Sequence, residues 1–192
     1  MLKHTILITS LALSFISSTV AAAETFYVGA QYNQLTVEET ARNATETLGT
    51  VSVLGGYQFN PFWSVEFRQH LEVNEQTPLP VLGAYQMQIT SQQSVLLKGT
   101  YPLNEQFSLY GLIGVGSTKF DFTSLTNAPI PSGITANHHN NGLAVGFGAE
   151  YQLTPALSAT LEYMQHRDLV FQGSQYNKLS LNGIALGLNY RF

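Results

Sequence analysis

Tyr57-Gln58-Phe59-Asn60-Pro61-Phe62-Trp63-Ser64-Val65 returns as Tyr101-Pro102-Leu103-Asn104-Glu105-Gln106-Phe107-Ser108-Leu109 and again as Tyr151-Gln152-Leu153-Thr154-Pro155-Ala156-Leu157-Ser158-Ala159. The start of the pattern recurs once more as Tyr190-Arg191-Phe192. In each full copy a Tyr and a large apolar residue end one run, and an Asn or Thr, often with Pro beside it, makes a tight turn. A large apolar residue followed by Ser then begins the next run. This is the chemistry of a strand, a turn and a strand, so three copies predict three similar hairpins on one rim. Closure of the sheet into a barrel would bring Tyr190-Arg191-Phe192 to the same rim.

Outward from the turns, residues alternate with a period of two. Leu143, Val145, Phe147, Ala149, Tyr151 and Leu153 share one face, with Gly142, Ala144, Gly146, Gly148, Glu150 and Gln152 on the other. A water-soluble barrel turns its large apolar face inward. Large apolar side chains outside, with glycines and charges inside, mark a barrel that crosses a membrane. The same parity predicts strands over about 25–35, 47–59, 62–73, 87–103, 106–122, 142–153, 157–169 and 178–192, with a bulge near Asn182 and Gly183, where Leu179 and Leu181 leave the outward set. The remaining links, near 36–46, 74–86, 123–141 and 168–177, are longer and more polar than the repeated turns. The expected fold is therefore all-β, an eight-stranded antiparallel up-and-down transmembrane β-barrel with short periplasmic turns and longer external loops.

Composition agrees. Charged residues make up 10% of the chain, against about a quarter in ordinary soluble domains. A basic start (Lys3, His4), an apolar run from Thr5 to Ile16 and the small-residue sequence Ala21-Ala22-Ala23 predict a signal peptide over 1–23, leaving 24–192 as the barrel domain. Beyond it no apolar run is long enough for a spanning helix. Without Lys3 the formal charge is about −5, which gives no electrostatic footprint for nucleic acid. There is no cysteine, so an exported fold must hold together by packing and hydrogen bonding.

Glu66, Arg68, Lys98, Glu150 and Glu162 all fall on inward positions. Isolated buried charges are costly, so these five are expected to pair and plug the lumen. The alternative is a polar path for a small solute. Tyr57, Phe59, Trp63, Tyr101, Phe107 and Tyr151 are expected to form an aromatic girdle at the periplasmic interface. His138 and His139, assigned to the longest loop, have no third ligand in view and are read as solvated; no metal or cofactor is expected. Apolar residues in the links, such as Leu125, Ile130, Ile134 and Phe171, mark possible partner surfaces.

The terminus Gly187-Leu188-Asn189-Tyr190-Arg191-Phe192, with the hairpin repeats and Gly-rich strands, resembles the small eight-stranded outer-membrane barrels of the OmpA-like and OmpX/Ail type. The resemblance implies that Leu188, Tyr190 and Phe192 act as an assembly signal read by the barrel-assembly machinery. It also implies a monomer among outer-membrane lipid and lipopolysaccharide, with a host or surface ligand met at the external loops. A structural or adhesin-like role follows, with a narrow channel as the alternative. Lipid A deacylases of similar architecture carry a His with a Ser two residues later; here His166 is followed by Asp168, which breaks the motif, so no enzyme activity is expected and a lipid A modifying enzyme ranks behind the channel as an alternative.

Overall fold

The structure, a computed structural model, describes residues 25–39, 44–71, 77–78, 85–124, 137–170 and 178–192. The expected signal peptide lies outside them. Eight long strands make the wall: β1 (Thr25–Glu39), β2 (Ala44–Asn60), β3 (Trp63–Leu71), β4 (Tyr85–Pro102), β5 (Phe107–Ser124), β6 (Asn137–Gln152), β7 (Leu157–Val170) and β8 (Lys178–Arg191). Each pairs antiparallel with its neighbour in sequence, and β8 pairs with β1 from Tyr27↔Arg191 to Glu39↔Leu179, closing the sheet. Thr77 and Pro78 add a two-residue bridge on the outer end of β4. Closure leaves no strand edge to lipid, which is how a β-structure satisfies every backbone group in a membrane.

The repeated turns share one device. The Asn60 side-chain oxygen accepts the N–H groups of Phe62 and Trp63, both at 2.9 Å. Asn104 accepts those of Gln106 and Phe107 at 2.9 and 2.8 Å. The Thr154 hydroxyl accepts those of Ala156 and Leu157 at 3.3 and 3.0 Å. Each turn also offers a carbonyl to the next strand pair: Phe62 to Thr100 N–H, Gln106 to Gln152 N–H, and Ala156 to Arg191 N–H. The Phe192 N–H donates to the Phe26 carbonyl at 3.1 Å and completes the rim. Asn60→Ala, Asn104→Ala and Thr154→Ala are each expected to lower stability by about 1 kcal/mol. Urea midpoints in lipid vesicles check this, with exposed Glu105→Ala as the control that leaves the midpoint in place.

Burial follows parity. Phe26, Tyr32, Val53, Phe67, Tyr101, Ile113, Phe147, Leu161 and Leu186 are exposed on the outer face, while Gln31, Ser52, Glu66, Gln92 and Thr160 are buried inside. This inverts a soluble core.

Two expectations need correction. The bulge is in β7: the β7–β8 register shifts between His166 and Leu169, while β8 runs past Asn182 and Gly183 without interruption. Leu181 lies inside, 5% exposed, because the outer part of the lumen is filled by apolar groups, Leu35 among them. His138 and His139 belong to β6, paired with Phe120 and Lys119. The strands continue beyond the apolar belt because the hydrogen-bonded ladder does not depend on which side chains lipid selects. The described strands accordingly reach into the links expected at 36–46, 123–141 and 168–177.

Candidate functional site

The strands bring Glu66, Arg68, Lys98, Glu150 and Glu162 into one network inside the barrel. Arg68 on β3 is its centre. Its Nε donates to Glu66 Oε2 at 2.9 Å and its Nη2 reaches the same oxygen. Nη2 also meets Glu162 Oε2 at 3.0 Å, and Nη1 meets Glu162 Oε1. The guanidinium thus holds two carboxylates from nearly opposite walls, a use its planar fork suits and a point charge would not. Lys98 on β4 donates to Glu150 Oε2 at 2.9 Å and stands 3.6 Å from Glu66. Glu150 also accepts the Ser158 hydroxyl at 2.7 Å and faces Arg191 at 3.8 Å. Three carboxylates therefore meet three cations. Glu66, Arg68 and Glu162 are 1%, 4% and 2% exposed, so the neutrality is needed to offset their desolvation.

Two tyrosines complete the network in the same way. On β1, β2 and β3 the register sets Tyr27 opposite Gly56 and Gly56 opposite Glu66. On β5, β6 and β7 it sets Tyr110 opposite Gly148 and Gly148 opposite Glu162. Each ring lies across its glycine, where a Cβ would collide with it. Each hydroxyl then donates to the glutamate one strand further on: Tyr27 to Glu66 at 2.6 Å and Tyr110 to Glu162 at 3.1 Å. Lys98 Nζ sits 4.2 Å from the centre of the Tyr110 ring, adding a cation–π attraction in a desolvated place. Beside the network, Leu96, Leu112, Ala144 and Met164 pack with Tyr110 into a buried apolar cluster.

The two ends differ. Towards the repeated turns a cavity of about 110 Å³ is lined by Lys98, Glu150, Ser158, Asn189 and Arg191 among others. Towards the other end His166 meets the buried Gln92 amide at 3.3 Å. The Asp168 side chain lies outside the described residues. Among the described residues no group of three His, Cys, Asp or Glu is placed to hold a metal ion.

The aromatic residues of the repeat stand on the outer face at the turn rim: Phe59, Trp63, Tyr101 and Tyr151 are exposed, and Tyr57 and Phe107 half-buried. Tyr57 packs against Phe26 with the rings tilted at 39° and their centres 4.9 Å apart. Leu188, Tyr190 and Phe192 face outward on the closing strand, with Tyr190 and Phe192 edge to face at 5.2 Å. Sequence reasoning gave neither Tyr27 nor Tyr110 a role. The visible signal was an inward tyrosine on a strand whose neighbour carries an inward glycine.

A family model described as outer membrane protein beta-barrel domain matches residues 8–192. Outer membrane protein X of Escherichia coli K12 is 22% identical over 167 residues, covering 77% of this chain and 89% of that protein. The virulence membrane protein PagC of Salmonella typhimurium is 29% identical over 101 residues, 52% of this chain; the match spans half of PagC's length. Among solved structures, Ail, the attachment invasion locus protein of Yersinia pestis, superposes with a TM-score of 0.61 at 22% identity, covering 90% of this chain and all of Ail. Ail has also been solved in complex with the heparin analogue sucrose octasulfate.

Proposed function

This chain belongs to the outer membrane protein beta-barrel domain family, and from that premise we propose that this outer-membrane barrel serves surface interaction, with contacts made at the rim opposite the repeated turns. The observation that carries the reading is the filled lumen. At its centre Glu66, Arg68, Lys98 and Glu162 form a charge-balanced, hydrogen-bonded network 1–4% exposed, which supports a structural plug over a reactive or conducting site. One rim is built from three copies of one turn, which leaves the dissimilar connections of the other rim as the variable surface. Loops on a rigid scaffold are where binding usually resides.

Ail binds a polyanion in its complex with sucrose octasulfate. The residues between the described strands on the outer rim here, 40–43, 72–76, 79–84, 125–136 and 171–177, carry Arg42 as their single Lys or Arg, with Glu72 and Glu75 opposing its charge. Leu79, Val81, Leu82, Leu125, Ile130, Ile134 and Phe171 lie among them. That composition favours a neutral, partly apolar protein surface over a sulfated polysaccharide. The same reading takes residues 1–23 as a removed signal peptide, the barrel as a monomer amid outer-membrane lipid and lipopolysaccharide, and Leu188, Tyr190 and Phe192 as the mark read by the assembly machinery.

Replacing residues 125–136 with a short Gly-Ser turn is expected to abolish binding to host cells or matrix while the barrel keeps its heat-modifiable migration in detergent gels. Unchanged binding after all four external connections are exchanged in turn would remove the surface reading. A narrow conduit is the second reading, favoured by the cavity beside Lys98 and Arg191. Its requirement is a steady conductance of the folded protein in planar bilayers, and the plug at Glu66, Arg68 and Glu162 predicts none.

A further inference from the structure

The outer face of β3, β4, β5 and β6 carries a feature that neither the lumen nor the external connections explain. The register places Phe67 opposite Val95, Val95 opposite Val115, and Val115 opposite Leu143. Across four adjacent strands this row reads large, small, small, large. Phe67 and Leu143 are therefore the sides of a shallow trough, open to the surroundings, with the two exposed valines as its floor and about 520 Å³ of space over it. An open trough of this shape buries one side of an elongated apolar chain and leaves the other side to its neighbours. The next row towards the repeated turns, Val65, Leu97, Ile113 and Val145, is uniformly apolar.

The next row in the other direction is uniformly polar: Gln69, Gln93, Ser117 and Asn141, each directly opposite the next. All four stand on the outer face. The Gln93 amide donates to Gln69 Oε1 at 2.7 Å, and the Gln69 amide donates to the backbone carbonyl of His70 at 2.8 Å. The row climbs across the tilted strands: Gln69 stands six residues above Trp63 on β3, roughly 15 Å, and Asn141 ten residues above Tyr151 on β6, roughly 25 Å, so it runs up to the outer edge of an apolar band about 25 Å tall. Along such a row acyl chains give way to polar headgroups. Exposed Lys119 stands one row further out on β5, opposite Ser91.

We propose that this trough is a lateral seat for one lipid of the surrounding membrane, taking an acyl chain over Val95 and Val115 and the phosphate-bearing headgroup region against the Gln93–Ser117–Asn141 row, with Lys119 beyond it. The occupant follows from three features. The trough is continuous with the lipid-facing belt, its walls are apolar, and its capping row supplies amide and hydroxyl donors with a cation at the same end. Nothing in it depends on the surface-interaction reading, and the two can fail separately.

The test refolds the protein into nanodiscs of phosphatidylcholine with a minority of phosphatidylglycerol and counts retained lipids by native mass spectrometry. One phosphatidylglycerol is expected to stay bound in excess of its share. Val115→Phe and Val95→Phe, which fill the floor while leaving the surface apolar, are each expected to reduce that retention about tenfold. Lys119→Gln is expected to remove the preference for phosphatidylglycerol while a lipid is still retained. Val28→Phe, on the far face, leaves retention unchanged. Heat-modifiable migration shows that each variant is folded, and either floor variant suffices. Equal retention by the parent and a folded floor variant overturns the proposal. So does disulfide capture of a dimer through Ser117→Cys that displaces the lipid, which would assign the trough to a second copy of the chain.

Discussion

Arg68→Ala is expected to destabilise the folded barrel by about 3–5 kcal/mol, because it leaves Glu66 and Glu162 buried without their common cation. Neither carboxylate has an alternative of equal quality. Tyr27 and Tyr110 each donate one hydrogen bond, and Lys98 stands 3.6 Å from Glu66 while already engaged by Glu150 at 2.9 Å. Arg68→Lys is expected to recover only part of the loss, since an ammonium cannot serve both carboxylates in a fork. Removing Arg68 together with both of its carboxylates, as Glu66→Gln with Arg68→Met and Glu162→Gln, is expected to return much of the stability, because the desolvation penalty of these three groups goes with them while Lys98 keeps Glu150. The chain's one tryptophan, Trp63, sits at the turn rim and reports unfolding directly. Urea titrations in lipid vesicles that place Arg68→Ala within about 1 kcal/mol of the parent would show the network to be ornamental, as many exposed ion pairs are. The cation at the cavity end is a milder case. Glu150 keeps Ser158 and Arg191 after Lys98→Ala, so a smaller loss is expected there.

The lumen also shows how far the sequence alone could be read. The repeated turns fix two registers outright. The turn at Asn60 sets Gly56 opposite Glu66, and the turn at Thr154 sets Gly148 opposite Glu162. Those halves of the two Tyr–Gly–Glu rows were legible from local turn chemistry. The other halves, Tyr27 against Gly56 and Tyr110 against Gly148, cross external connections at 40–43 and 125–136 whose lengths fix no register. Partner choice inside the lumen was hidden for the same reason. Parity said that Arg68 faces inward, but only the closed circumference brings it to Glu162, 94 positions away. The misplaced bulge has a different origin. A bulge was expected because Leu179 and Leu181 leave the outward set, yet an eight-stranded lumen takes apolar residues without one: Leu35, Leu54, Leu96, Leu112 and Leu181 fill part of it. The trough escaped notice because its rows run across strands, so no single strand contains it.

Deleting residues 188–192 is expected to abolish folding altogether, the largest effect of any change considered. These residues pair on both sides: Leu188, Asn189, Tyr190 and Arg191 with Ala30, Gly29, Val28 and Tyr27 on β1, and Leu188, Asn189 and Tyr190 with Ala159, Ser158 and Leu157 on β7. Their loss opens two facing edges near the turn rim and removes the rim bonds from Arg191 to Ala156 and from Phe192 to Phe26. A backbone group left unpaired in lipid costs several kcal/mol, so a handful exceeds the roughly 5–15 kcal/mol by which folded domains are stable. The truncated chain should therefore show no fast-migrating folded band after refolding into detergent or vesicles, and such a band would contradict closure through β8. Phe192→Ser separates closure from recognition. Its backbone N–H still reaches Phe26, and what it loses is an exposed ring against Tyr190. Refolding of the pure variant is expected to be close to normal. Its level in the outer membrane of cells is expected to fall severalfold if Leu188, Tyr190 and Phe192 are read by the assembly machinery. Equal levels in cells would reduce the terminal aromatics to lipid contacts, because a purely structural role predicts the same small effect in both settings.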